Sequence, residues 1–266
     1  MIAVIGLGNI GLAIGARLVD SGHDVLGIDL SPEQREAWHA TTSLDAVDDL
    51  DAVPWEQVGA VFVVVRLTSQ AQQILHRLAT VSTPLTCFVL TTLELEFARH
   101  LQSTQTLRVV ELPVSGGQGG ATAGTLTVMA AGPLTRTDEE LLMTSIAANL
   151  VRFDAYGQPT LAKLLNNVTG AYNARAMAAM LEIGEQFGLD PKAFHEVLTT
   201  SSGGSWMTAA FTDVIDDLLA KDVALLEDAV GSLPVVSLAD VDEMVDALGR
   251  ARGRLTASVS STADQV

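Results

Sequence analysis

The stretch MIAVIGLGNIGLAIGARLVDSGHDVLGID, residues 1–29, decides the fold. Ile2 to Ile5 is a short apolar run that leads straight into Gly6-Leu7-Gly8-Asn9-Ile10-Gly11. Ile10 to Ser21 then reads as a helix, and a second apolar run, Val25 to Ile28, closes on Asp29. Strand, glycine turn, helix, strand and acidic residue, in this order and spacing, describe a dinucleotide-binding unit. Gly6 allows the tight turn, Gly8 lets backbone N–H groups approach a pyrophosphate, and Gly11 lets the helix pack close to the strand. The helix N-terminus adds partial positive charge facing the phosphates. Gly6, Gly8, Asn9, Ile10 and Gly11 are therefore the candidate cofactor turn. Asp29 stands where a carboxylate accepts hydrogen bonds from the adenosine ribose hydroxyls. A carboxylate there repels a 2′-phosphate, so NAD is favoured, while Arg35 six residues on leaves NADP possible. A strand–turn–helix without a ligand is the plainer alternative, and the complete set of flanking elements argues against it.

At 266 residues the chain is long enough for two domains with real cores. Its 48% apolar and 5% aromatic residues suit interiors packed with Ala, Val and Leu. The net charge of −17, with no basic run, makes nucleic acid and anionic membranes poor partners. A small anionic substrate needs a local positive site within that repulsive field. Cys87 is the only cysteine, which excludes an intramolecular disulfide and suits a reducing compartment. The apolar N-terminus lacks a basic n-region, and its glycines belong to the nucleotide turn. The uncharged stretch 112–135 holds six glycines and two prolines, a poor membrane span. The expectation is a cytoplasmic protein with no membrane segment.

Further along, Val61–Val65, Cys87–Leu90, Arg108–Leu112 and Thr125–Ala131 read as strands. Ser69–Ala79, Leu95–Leu101 and Asp138–Asn149 read as helices, and the acidic segment 43–53 as a solvated helix or loop. Strands alternating with helices imply a doubly wound, mostly parallel α/β sheet covered on both faces. The pattern changes near Gly157. Thr160 to Phe187 is proline-free and alanine-rich, predicting one long helix of about 42 Å. Gly188-Leu189-Asp190-Pro191 supplies a stop, an N-cap and a first-turn proline. Further helices are predicted over Phe194–Leu198, Met207–Ala220, Val223–Val230 and Ala239–Leu248, with a mobile tail from Thr256 to Val266. The expected domains are 1–156, nucleotide-binding, and 157–266, all-helical.

The chain has three lysines, Lys163, Lys192 and Lys221. Lys163 and Asn167 are four residues apart and share a face of the long helix, with Gly170 leaving room for a close neighbour. A lysine whose pKa is lowered by burial can give and take a proton, and Asn167 can hold the same oxygen. An ordinary polar helix face is the alternative. In Pro113-Val114-Ser115-Gly116-Gly117 the glycines free backbone N–H groups to point into one cavity, which suits a carboxylate or an oxyanion. A flexible connection is the alternative there. His23, His39, His76, His100 and His195 are scattered without metal-ligand spacing, so no metal is expected.

These segments, in this order, resemble the β-hydroxyacid dehydrogenases, a family that includes 3-hydroxyisobutyrate dehydrogenase and tartronate semialdehyde reductase, with 6-phosphogluconate dehydrogenase further off. The resemblance rests on GLGNIG with SGHDVLGID, on PVSGGQGGATAGTLTVMAAG, on the Lys163-x-x-x-Asn167 helix running into EIGEQFGLD, and on AKDVALLEDA around Lys221-Asp222. It implies a catalytic role for Lys163, with Asn167 orienting the substrate. It also implies that Ser115, Gly116 and Gly117 hold the substrate carboxylate, and that Thr92 lies near the nicotinamide. It further implies that Lys221 and Asp222 belong to a motif that closes over the cofactor cleft, and that Trp206 helps shape the substrate pocket. The chain departs from the family pattern at Val89, where an Asp is usual, and at Glu94-Leu95, where Ser-Pro is usual. Arg66-Leu67 replaces Leu-Pro, which leaves Arg66 facing a cofactor phosphate, a substrate anion or water.

The expected activity is hydride transfer between NAD(P) and a small β-hydroxyacid or its semialdehyde, with Lys163 as general acid and base. An imine-reducing relative of the same fold is one alternative, although that branch usually lacks the lysine. A non-catalytic nucleotide sensor is the other, although it has no need of a proton shuttle. The alanine-rich helical surface points to a homodimer.

Overall fold

The computed structural model describes residues 1–212 and 216–260. The chain opens with β1 (Ile2–Ile5), α1 (Asn9–Asp20), β2 (Val25–Ile28), α2 (Pro32–Thr42) and β3 (Ala46–Val47). After two short 3-10 turns come β4 (Ala60–Val63), α3 (Thr68–Leu78), β5 (Leu85–Val89), α4 (Leu95–Arg99) and β6 (Leu107–Glu111). The six strands form one sheet in the order β3-β2-β1-β4-β5-β6, and every pair is parallel. The sequence steps one way from β1 to β3 and the other way from β4 to β6. The crevice beyond the C-terminal ends of β1 and β4 is thus the switch point where such sheets bind ligands.

The strands are apolar at nearly every position because both faces are covered. Ile2, Val4, Phe62, Phe88 and Val110 point to one face, with Ile14 and Leu18 of α1 packed on them. The rings of Phe62 and Phe88 lie 4.8 Å apart, centroid to centroid. Ala3, Ile5, Val61, Val63, Cys87 and Val89 point to the other face, against Ala71 and Leu78 of α3 and Ala98 of α4. Each such fully buried large side chain contributes about 1.5–3 kcal/mol.

Beyond β6 the structure departs from expectation. Val114–Ser115 is a short strand, β7, and the glycines after it wind into a helix, α5 (Gly117–Ala123), rather than an open loop. β8 (Leu126–Ala130) pairs antiparallel with β7. α6 (Arg136–Ser145) then stops four residues before the predicted end, and Ala147–Arg152 returns as β9, parallel to β8. The local sequence of residues 146–152 tolerates either state, and pairing with β8 decides it.

The long helix, α7, spans Gln158–Gln186 and measures about 44 Å. α8 (Pro191–Thr200) follows with Asp190 accepting from Lys192 N and Pro191 in the first turn, as predicted. The predicted helix Met207–Ala220 resolves into α9 (Trp206–Ala209) and the start of α10 (Asp216–Val230), with 213–215 outside the described residues. The latter also absorbs Val223–Val230. α11 (Val241–Ser260) runs past Thr256 into the predicted tail, whose last residues, 261–266, lie outside the described residues. The chain divides into two compact units, residues 1–229 and 230–266. Both sheets and the elements that carry the candidate site belong to the first.

Candidate active site

The glycine turn is built as its spacing requires. Gly6 has φ +94°, and a Cβ there would sit 2.5 Å from the Val64 carbonyl oxygen. A Cβ on Gly11 would overlap the Gly6 carbonyl oxygen itself. Among the described residues nothing lies within 4 Å of the Cβ position of Gly8, the N-cap of α1. No side chain caps that helix, and Gly8 and Asn9 are exposed, with Ile10 partly so. Free N–H groups at a helix N-terminus, facing open space, fit a dinucleotide pyrophosphate.

Asp29 lies beside this turn. One of its oxygens accepts from Leu7 N at 2.7 Å and the other from Ser31 N at 2.8 Å. The carboxylate thus ties the glycine turn to the start of α2 and keeps a second lone pair on each oxygen for ribose hydroxyls. Arg35 is folded back on the same loop, donating to the carbonyls of Asp29 and Leu30 at 2.8 and 2.9 Å.

On the far side of the switch point, Arg66, Thr68, Ser69, Thr92, Glu94 and Lys221 line a cavity of about 140 Å³. Thr68 Oγ1 accepts from Glu94 N at 2.9 Å, and Thr91 Oγ1 accepts from Val65 N at 3.2 Å, so the loops after β4 and β5 are stitched together. Lys221 Nζ donates to the Arg66 carbonyl at 3.4 Å, bringing α10 to the ends of the strands. Arg66 and Glu94, two of the positions where the chain departs from the family pattern, line the same cavity.

The helices bring the remaining candidates together. Lys163 and Asn167 are partly buried on α7. The amide of Asn167 donates to Asp222 of α10, whose carboxylate is 6% exposed, and Lys221 Nζ lies 3.6 Å from the other oxygen of Asp222. Desolvation pulls the Lys163 ammonium down from 10.5 to about 8, helped by the charge of Lys221 and opposed by Asp222. Lys163 donates no hydrogen bond among the described residues, so its protons are available. Asn166, which the sequence reading passed over, donates to Ser115 Oγ at 3.4 Å and to Asn167 Oδ1 at 3.1 Å. It links the helix to the glycine-rich loop, and the i, i+3 spacing from Lys163 was the signal for it. Gly116 and Gly117, with φ +130° and +62°, turn the chain from Ser115 into α5. The Trp206 ring lies 4.0 Å from the Cβ position of Gly117. A Cβ on Gly170 would sit 2.7 Å from Met207 Cε, so the glycine does give α9 its seat on α7. Among the described residues no group of three or more His, Cys, Asp or Glu is placed to hold a metal. No described helix is long and apolar enough to cross a membrane.

Two family models match successive parts of the chain. Residues 1–153 match the NAD binding domain of 6-phosphogluconate dehydrogenase. Residues 157–261 match the NAD-binding domain of NADP-dependent 3-hydroxyisobutyrate dehydrogenase. A 3-hydroxyisobutyrate dehydrogenase of Pseudomonas aeruginosa is 30% identical over 77% of this chain and 71% of its own length. An L-threonate dehydrogenase of Cupriavidus necator is also 30% identical, over 77% and 72%. The crystal structure of a 3-hydroxyisobutyrate dehydrogenase from Salmonella typhimurium superposes with a TM-score of 0.75 over 88% of both chains, at 22% identity. The chain is a nicotinamide-dependent oxidoreductase and belongs to the β-hydroxyacid dehydrogenase family.

Proposed function

We propose that this enzyme interconverts a small β-hydroxyacid and its semialdehyde, with Lys163 as the general acid and base. The observation that carries the proposal is the setting of Lys163: a desolvated ammonium brought down to about 8, on the helix face of the Asn167 that donates to Asp222, and donating no hydrogen bond among the described residues. A group titrating near operating pH serves as base in one direction and acid in the other. The nicotinamide supplies or accepts the hydride. In oxidation the neutral amine of Lys163 takes the hydroxyl proton, and in reduction its ammonium returns a proton to the carbonyl oxygen. Asn167 has one amide N–H engaged by Asp222 and a second, without an acceptor among the described residues, to hold the same oxygen. Ser115, Gly116 and Gly117 hold the substrate carboxylate, and Trp206 walls that side of the pocket.

Gly6, Gly8, Asn9, Ile10 and Gly11 cradle the pyrophosphate, and Asp29 reads the ribose. Its negative charge selects NAD over NADP. Arg66, Thr92 and Lys221 hold the nicotinamide half. In this reading residues 1–156 bind the nucleotide and residues 157–266 form the substrate and dimerisation domain. Exposed Met180, Ile183, Phe187 and Leu189, at the end of α7 and just beyond it, supply an apolar surface for a homodimer. The single, buried thiol of Cys87 suits a reducing compartment, the cytoplasm. The relatives that act on 3-hydroxyisobutyrate and L-threonate support the acid class of substrate.

The test is nicotinamide absorbance across a panel of β-hydroxyacids and semialdehydes, with NAD(H) and NADP(H), for the wild type and Lys163→Ala. The variant should lose about 10²–10⁴-fold in kcat, with cofactor binding retained. Turnover that survives the substitution refutes the assignment.

A further inference from the structure

We propose that Glu111 is a positioning residue for Lys163, a buried anchor that seats the lysine-bearing helix against the substrate loop. The inference rests on the reading of Lys163 as acid and base, and adds a residue to which no role has so far been given. Glu111 ends β6 and is fully buried. One carboxylate oxygen accepts from Gly157 N at 2.6 Å and the other from Thr160 N at 2.8 Å. These N–H groups are the N-cap and third residue of α7, among those that a helix cannot satisfy internally. An N-cap side chain usually accepts from them. Here the N-cap is glycine, so the acceptor is supplied from β6 and brings a negative charge to the positive helix end.

The placement of this anchor ties it to the site. Lys163 is three residues beyond Thr160, so the two share a helix face, and fixing Thr160 N fixes the rotation and height of that face. On its own strand, Glu111 exchanges backbone hydrogen bonds with Ala131 at 3.0 and 3.1 Å, and Leu112 N donates to Val89 O at 2.8 Å. Four residues after Glu111 comes Ser115, which meets Asn166 of α7. The segments 111–115 and 157–166 are thus pinned to each other at both ends, by Glu111 at one and by Ser115–Asn166 at the other. Lys163 lies between the pins.

Burial raises the Glu111 pKa, and the neighbouring Thr160 hydroxyl together with the two backbone N–H groups offsets part of that rise. Glutamine at this position would turn an NH2 group toward one of two N–H donors and lift the start of α7 from its seat. A shift of even 1 Å at a reacting group costs on the order of 10²-fold in rate.

Glu111→Gln and Glu111→Asp should be compared with Lys163→Ala for kcat, KM, cofactor Kd, melting temperature and the pH dependence of kcat. Glu111→Gln is expected to lose roughly 10–100-fold in kcat with cofactor Kd unchanged. Its pH transition should move from about 8 toward the ordinary lysine range as water reaches the ammonium beside Lys221 and Asp222. Aspartate keeps the charge on a shorter arm and should recover part of both losses. The inference is overturned if Glu111→Gln keeps the wild-type kcat and pH transition while Lys163→Ala is inactive. It is also overturned if both Glu111 variants fail to fold, or lose cofactor affinity in step with kcat, since the residue then serves the fold alone. If Lys163→Ala stays active, the lysine assignment fails first, and this inference falls with it.

Discussion

The side-chain amide of Asn167 donates to the carboxylate of Asp222, 55 residues further along the chain. This bond joins the face of α7 that carries Lys163 to α10, and α10 in turn reaches the strand ends through Lys221 and Arg66. Asp222 is therefore an electrostatic neighbour of both lysines. Its negative charge favours the charged form of Lys163, against the desolvation that disfavours it.

Asp222→Asn should move the pH dependence of turnover to lower pH. Without the carboxylate, Lys163 loses the one charge that raises its pKa and titrates below its present value of about 8. In the oxidative direction, where the neutral amine is required, the rising limb appears at lower pH. In the reductive direction the activity begins to fall at lower pH. A pH–rate profile in each direction checks this, and limbs that stay where the wild type has them separate Asp222 from the lysine.

The second and third glycines of the nucleotide turn should respond differently to alanine. At Gly8 nothing among the described residues lies within 4 Å of the new methyl group, so the melting temperature of the cofactor-free protein should hold. The methyl group would instead occupy the space in front of the α1 N-terminus, and cofactor affinity should fall. At Gly11 the methyl group overlaps the Gly6 carbonyl oxygen, so the turn itself must open. Gly11→Ala should cost about 1–3 kcal/mol of stability, as overpacking does. Thermal melts with and without NAD distinguish the two. Equal destabilisation by both substitutions would contradict this account.

Much of this was legible in residues 1–29, because a glycine turn between two apolar runs leaves the backbone few alternatives. Helical spacing alone put Lys163 and Asn167 on one face, and only the resemblance to the family gave that face a role. The acidic partners were not legible. Glu111 sits at the end of a strand whose apolar pattern gives no reason to expect a buried carboxylate, and its N–H donors lie 46 and 49 residues away. Asp222 was visible only as part of a motif, and its bond to Asn167 depends on how α10 meets α7. β9 was missed for a similar reason: residues 147–152 become a strand because β8 offers them an edge. Local pattern reports which backbone states are cheap, whereas contacts distant in sequence choose among them.

Asp29 should matter to the fold as well as to the cofactor. Asp29→Ala removes the acceptor for both Leu7 N and Ser31 N, so the cofactor-free protein should lose about 1–3 kcal/mol. Affinity for NAD should fall as well, while discrimination against NADP weakens because the repelling charge is gone and Arg35 remains nearby. Calorimetric titrations with both cofactors, set beside melts of the cofactor-free protein, test the two effects separately. A variant with unaltered stability would show that the loop does not depend on these bonds.

Lys163 itself should carry a cost to the fold. Its pKa is about 8 in the folded chain against 10.5 for an ordinary lysine, so folding disfavours its proton. Below pH 8 both states hold the proton and the penalty is complete. Between about 8 and 10.5 the unfolded chain binds more protons than the folded one, so wild-type stability gains as pH rises. Lys163→Met keeps a similar shape without the charge and should melt higher at pH 7. The side chain is only partly buried, so solvent screening reduces the gain to about 1 kcal/mol, or roughly 2–4 °C. The advantage should shrink as pH rises through that window, while turnover is lost at every pH. Melting curves of both proteins from pH 7 to 10.5 measure the difference directly. A constant offset across the range would mean that the stabilisation comes from packing of the methionine and not from relief of a buried charge.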